Sequence, residues 1–140
     1  MKYSMLCLTI LLLNGCDSDA NRSDHVSTGL FITTDKTEYL RNEKTIITLI
    51  YNTDQTVIFE GCLSDIFYLR DKCVENHWVE WTNLSCSDTS LIQFALRPHT
   101  STSDSVVVRK PGEYRLRYPI HWNDQQNTPD TMSSNSFTIH

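Results

Sequence analysis

Cys62, Cys73, His77 and Cys86 are the residues whose types and proximity first suggest chemistry. Three thiolates and an imidazole make a zinc ligand set, because zinc takes four such donors in a tetrahedron. The set lacks the short Cys-x-x-Cys knuckle that orients such a site, so no metal or cofactor is expected. The same cysteines suit a disulfide. Cys62–Cys86 is the preferred pairing, clipping the chain on either side of an aromatic segment, and Cys62–Cys73 is its rival. Such a bond is worth about 2–4 kcal/mol. Nucleophilic catalysis needs a base within reach of a serine or cysteine, and donors for the oxyanion. His25, His77, His99, His121 and His140 are scattered, and no Gly-x-Ser-x-Gly elbow is present. The chain is read as non-catalytic.

A second constellation is aromatic. Trp78, Trp81, Trp122, Tyr68 and Tyr118 offer flat apolar faces of the kind that stack on sugar rings. Aromatic residues are also what strands and β cores are made of, and most of these five sit in strand-like patterns. Trp122 is the exception. It borders a polar stretch, residues 121–135, and stands beside Asp124, Gln125 and Gln126. These four form the candidate binding loop, with a glycan as one ligand class.

Residues of this kind act only where the chain puts them, and its start addresses location. Met1-Lys2 precedes an apolar run over residues 5–13 that ends in Leu12-Leu13-Asn14-Gly15-Cys16. The run has the length of a signal-peptide core and is too short to span a bilayer, which takes roughly 20 apolar residues. A small residue and then cysteine, placed there, resembles the lipobox of bacterial lipoproteins. The resemblance implies that residues 1–15 are cleaved and that Cys16 becomes an acylated, palmitate-bearing first residue. Cys7 leaves with the leader. Residues 16–28 are polar and read as a flexible tether, spanning on the order of 20 Å. The resemblance places the protein in the bacterial cell envelope. Asp17, directly after the lipidated position, favours the periplasmic side of the inner membrane over the outer membrane. Export also means an oxidising compartment, which suits a disulfide.

Composition narrows the partners. The 140 residues carry 12 basic and 17 acidic side chains, a formal charge of −5. Without Lys2, the only charge before Cys16, the balance is −6. A mildly acidic chain is a poor fit for nucleic acid. Gly and Pro number four each, which excludes fibrous or low-complexity classes.

From Gly29 onward the apolar pattern has period two. Strands are expected over residues 30–33, 45–51, 57–59, 66–69, 78–81, 92–96, 106–108, 114–120 and 136–139. The second and third are expected to pair as a hairpin through Asn52-Thr53-Asp54-Gln55, the fourth and fifth through the polar turn near residues 74–77. Residues 100–105 and 121–135 read as loops. Pro111-Gly112-Glu113-Tyr114 opens a late strand with a Tyr two residues after a Gly, which resembles the tyrosine corner of immunoglobulin-like domains. The strand–turn–strand of residues 45–59, the aromatic hairpin and Pro-Gly-Glu-Tyr-Arg-Leu-Arg-Tyr together resemble bacterial immunoglobulin-like domains. Pro98-His99 stands where such domains often have Pro-Gly. The implied fold is an all-β, antiparallel immunoglobulin-like sandwich of 7–9 short strands over residues 29–140, with Tyr114 structural. The implied function is a lipid-anchored, non-catalytic binding or structural module facing another envelope protein. A proteinase-inhibitor-like module and a carbohydrate-binding module are the alternatives.

Overall fold

The computed structural model describes residue 16 and residues 29–62, 65–83, 91–122 and 130–140. The described residues are all-β, with no helix. The strands in order are β1 (Leu30–Thr34), β2 (Glu38–Tyr39), β3 (Lys44–Tyr51), β4 (Val57–Cys62), β5 (Asp65–Ile66) and β6 (Leu69–Val74). Then follow β7 (His77–Asn83), β8 (Leu91–Leu96), β9 (Thr100–Val107), β10 (Gly112–Trp122), β11 (Asp130–Ser133) and β12 (Phe137–Ile139).

Two sheets share one core. The smaller has the order β1-β3-β9, antiparallel throughout. The larger is built on β10, whose 11 residues bury Tyr114, Leu116, Tyr118 and Ile120 completely. On one side of β10 lie β12 and then β11. On the other lie β6, paired with residues 114–117, and β4, paired with residues 120–122. Pro119 falls where β6 has ended and β4 has not begun, so a central strand tolerates its missing N–H. The β4 strand continues to β8 and β5, and β6 continues to β7. Facing β10 from the smaller sheet are Ile32, Ile47, Leu49, Tyr51 and Val106, members of the same apolar cluster. Period-two burial along β3 and β10 is what puts every second side chain into that cluster.

Several expectations need correction. β3 and β4 are not a hairpin: β3 pairs with β1 and β9, while β4 pairs with β10, β8 and β5. Asn52 donates its N–H to the carbonyl of Gly29, which ties the end of β3 back to β1. The chain then arches across the core, and Val57 and Phe59 enter it from the far side. An arch and a hairpin have the same one-sided apolar pattern, so sequence does not separate them. Residues 100–105 are not a loop but the first three-quarters of β9. That strand has Ser and Thr in alternation and buries only Val106 fully, so no apolar period announces it. Residues 121–135 are not one long loop, because β10 runs to Trp122 and β11 begins at Asp130. Lastly, the pairing is not wholly antiparallel: β2 lies parallel to β12.

The hairpin across residues 74–77 forms, but its first strand is β6 at Leu69–Val74 and not residues 66–69. Ile66 pairs instead with Gly61 of β4. The turn is also tighter than its polar residues imply. Glu75 and Asn76 both take left-handed backbone, φ 51° and 63°, as a two-residue turn of the type that matches strand twist requires. His99 takes φ 54°, the conformation a glycine would adopt there.

Candidate functional site

The β6–β7 hairpin and the end of β9 frame a cleft of about 660 Å³. One wall is Tyr68, Arg70 and Trp81 from the larger sheet, and the other is the run from Ser105 to Lys110. Tyr114, at the start of β10, closes the base. Val106 and Val108 are almost wholly buried and give the floor its apolar character.

Each side chain has a local reason to be there. Gly112 takes φ 144°, a region that other residues rarely occupy. A β-carbon at that position would stand 2.5 Å from Lys72 Cε, so the lysine stem crosses the backbone where only hydrogen is present. Lys72 is paired in register with Tyr114. Its ammonium reaches over the Tyr114 ring, 5.6 Å from the centroid, and over Trp81 at 4.7 Å. Lys110 approaches the same Trp81 ring at 5.3 Å. The Tyr114 hydroxyl donates to the Lys110 carbonyl at 2.9 Å, which fixes the β9–β10 turn that carries Arg109 and Lys110. Burial raises the pKa of the Tyr114 phenol against the lowering pull of the Arg70 charge.

Arg70, Arg109 and Lys110 line the cleft, and the Lys72 ammonium lies over Trp81 and Tyr114, two rings of the same lining. No carboxylate belongs to the described lining. Lys72 and Lys110 are held by aromatic faces. A ring face attracts an ammonium through its quadrupole and leaves the charge and the N–H donors unspent.

The opposite face of β6, β7 and β10 is the contrast. Asp71 is 2% exposed, and its Oδ2 accepts from Arg115 Nε at 3.0 Å and Arg117 Nε at 2.8 Å. Arg117 also donates to Glu80 Oε2 at 3.0 Å, and the Arg115 guanidinium lies 4.7 Å over Trp78. Burial opposes the charge on Arg117, but Asp71 and Glu80 outweigh it and raise its pKa. Two carboxylates and two guanidiniums neutralise one another, which makes this a structural network.

The sequence-derived candidates fall as follows. Cys73 is bonded to Cys16, not to Cys62, because β6 turns Cys73 toward the outer face where residue 16 is packed. Cys16 is 6% exposed, and its N–H lies 3.5 Å from Glu113 Oε2. Residue 16 is thus seated on the domain, where the tether reading expected it to hang free. Cys62 is also in a disulfide, and its partner lies outside the described residues, as Cys86 does. Sulfurs committed in this way have no thiolate to offer a metal, so the set of Cys62, Cys73 and His77 is not assembled as ligands. Asp124, Gln125 and Gln126 lie outside the described residues. Trp122 is described, half-buried, and packed on the core with its ring 6.3 Å from Tyr51.

Sequence reasoning missed the cleft. Its lysines and arginines are spread over residues 70–110 and look like ordinary surface charge until β6 and β9 are brought side by side. One signal was available: Arg109-Lys110 directly before Pro111-Gly112 places two cations on a turn that the tyrosine would fix. No protein-family model matches this sequence, and no curated protein matches it.

Proposed function

We propose that this protein is a lipid-anchored component of the bacterial cell envelope whose domain is a non-catalytic binding module. The domain is read as an immunoglobulin-like β-sandwich. Two sheets on one core and the Tyr114–Lys110 bond support that reading. The cleft between β6–β7 and β9 is the binding site, in place of the loop around Trp122. The observation that carries this is the gathering of cations with no carboxylate among the described lining residues, in a chain of net charge −5. Carboxylates outnumber cations overall, so a described lining of cations without carboxylates in a cavity of ligand size favours an anionic partner.

Disulfide chemistry at Cys16 and Cys62 fits an exported chain. Lipid and disulfide are alternatives at one sulfur, so the anchored form leaves Cys73 as a thiol beside Glu113. Neither the inhibitor-like nor the carbohydrate-binding alternative gains an observation of its own.

A photo-crosslinking residue placed at Trp81, in the protein made in its native host, tests the site. Phe31, 54% exposed on the far face of β1, is the control position. Adducts from position 81 and none from position 31 are expected. Equal labelling from both, or none from either, rejects the cleft as the place where the module binds.

A further inference from the structure

We infer that the cleft recognises a phosphate ester: a group of about two negative charges joined to an organic body that lies on the apolar floor. The inference rests on the cleft being the binding site and goes on to name what enters it.

Charge sets the first requirement. Lys72, Arg109 and Lys110 have no ion pair among the described residues, and Arg70, which is already engaged elsewhere, lines the same space. One carboxylate would leave most of that charge unmatched. A phosphate monoester carries roughly −1.5 to −2 at neutral pH and presents three acceptor oxygens. Those oxygens suit a guanidinium fork and two ammoniums at once.

Pre-organisation sets the second. Lysine has a flexible stem, and ordering it on binding costs free energy. Here Trp81 lies within 4.7 Å of one ammonium and 5.3 Å of another, and Tyr114 holds the first from below. The rings confine both ammoniums before a ligand arrives and cancel neither charge. Gly112 keeps the path of the Lys72 stem open.

Volume sets the third. A cavity of about 660 Å³ is far larger than inorganic phosphate needs, and it falls in the range of sites for whole small molecules. The buried Val106 and Val108 on its floor suit a ring or chain attached to the phosphate.

Two sources share this chemistry. One is a soluble sugar phosphate. The other is the headgroup of phosphatidic acid, also a phosphate monoester, which an acylated Cys16 would keep within reach of the cleft. Calorimetric titration of the full chain, purified in detergent from its host, separates them. The probes are glucose 6-phosphate, glucose, inorganic phosphate, and dihexanoyl phosphatidic acid or phosphatidylcholine below their micellar concentrations.

Saturable binding of glucose 6-phosphate without binding of phosphatidic acid assigns the soluble source, and the reverse assigns the headgroup. Binding of both supports the shared phosphate-ester chemistry. Glucose and phosphatidylcholine should give no saturable heat. Lys72→Gln with Lys110→Gln should weaken binding by about tenfold or more, since each charge-assisted hydrogen bond is worth about 1.5–3 kcal/mol. Arg97→Gln, on an exposed residue beyond β8 at the opposite end of β9 from the cleft, should leave binding unchanged. Circular dichroism of the double variant guards against misfolding.

Inorganic phosphate binding as tightly as the esters would overturn the organic-body requirement. No phosphate probe binding, or the double variant binding like the wild type, would overturn the inference. If position 81 still crosslinks in that case, the cleft remains the binding site and its ligand is not a phosphate ester.

Discussion

At the scale of single residues, Tyr118 buries a hydroxyl that finds no hydrogen-bond partner among the described residues. Tyr118→Phe should therefore stabilise the domain, by about 1 kcal/mol, because an unsatisfied buried group costs about that much. Urea unfolding measures it, and a loss of stability would mean that the hydroxyl is partnered. Tyr114→Phe should go the other way by about 0.5–1.5 kcal/mol, since its hydroxyl is spent on Lys110 and the ring packing survives. The same phenols govern the alkaline limit. Burial raises the pKa of Tyr39, Tyr114 and Tyr118 above the ordinary value of 10.0, and the hydrogen bond that the Tyr39 hydroxyl donates to the Asp35 carboxylate adds to the rise at Tyr39. A raised acid keeps its proton longer in the folded state. Its stabilisation is complete below pH 10 and is lost as the pH rises from 10 through the raised value, because only the unfolded phenols ionise at first. Unfolding free energy should thus fall steeply above pH 10, and less steeply in Tyr118→Phe. A flat profile between pH 10 and 11 contradicts the burial of these rings.

Elements differ in how openly the sequence declares them. β10 is legible from Tyr114, Leu116, Tyr118 and Ile120 because one face of it is fully buried and the other is not. β9 is not legible, since Ser101, Thr102 and Ser103 have no apolar partner to alternate with, and its pairing to β3 comes from backbone ladder bonds that any residue can make. The β3–β4 arch defeats local reading for a different reason. Ile47 and Val57 meet the same core from opposite sheets, and no pattern within residues 44–62 tells which sheet is which. The β6–β7 turn offers a test at this scale. Glu75 and Asn76 occupy left-handed backbone that Asn-Gly tolerates better. Replacing the pair by Asn-Gly should stabilise the domain by about 0.5–1 kcal/mol, read as a higher thermal midpoint. No change would mean that the turn is not strained. The cleft is the least legible feature of all. It exists only because the β6–β7 hairpin and the run from the end of β9 to Lys110, far apart in sequence, face one another in space.

For the whole molecule, Cys16 decides between two covalent states. Bonded to Cys73, it closes a loop with a sequence separation of 57. In the chain-entropy picture such a loop is worth roughly 4 kcal/mol. Acylated, it gives up that link and gains membrane attachment, which stable anchoring achieves with more than one acyl chain. Mass spectrometry of the membrane fraction should find an acylated Cys16 at the N-terminus and a Cys73 that reacts with maleimide. A peptide pair linked through Cys16 and Cys73, with no acylated form present, would reject the anchor and leave the disulfide as the mature state. Cys16→Ser removes either fate: from the acylated state it should release the protein from the membrane with the domain's stability unchanged, and from the disulfide state it should lower stability with no change in membrane partition.

The position of β10 among its neighbours has a dynamic consequence. Four strands take their pairing from it, β12 and β11 on one edge and β6 and β4 on the other. Its inward side chains at 114, 116, 118 and 120 are all sealed from water. No local fraying can expose the middle of that strand without separating both edges together. In deuterated water the amides of Leu116 and Tyr118 should therefore be among the last to exchange, at the rate of global unfolding. Those of β2 and β5, two residues each, should exchange by opening alone.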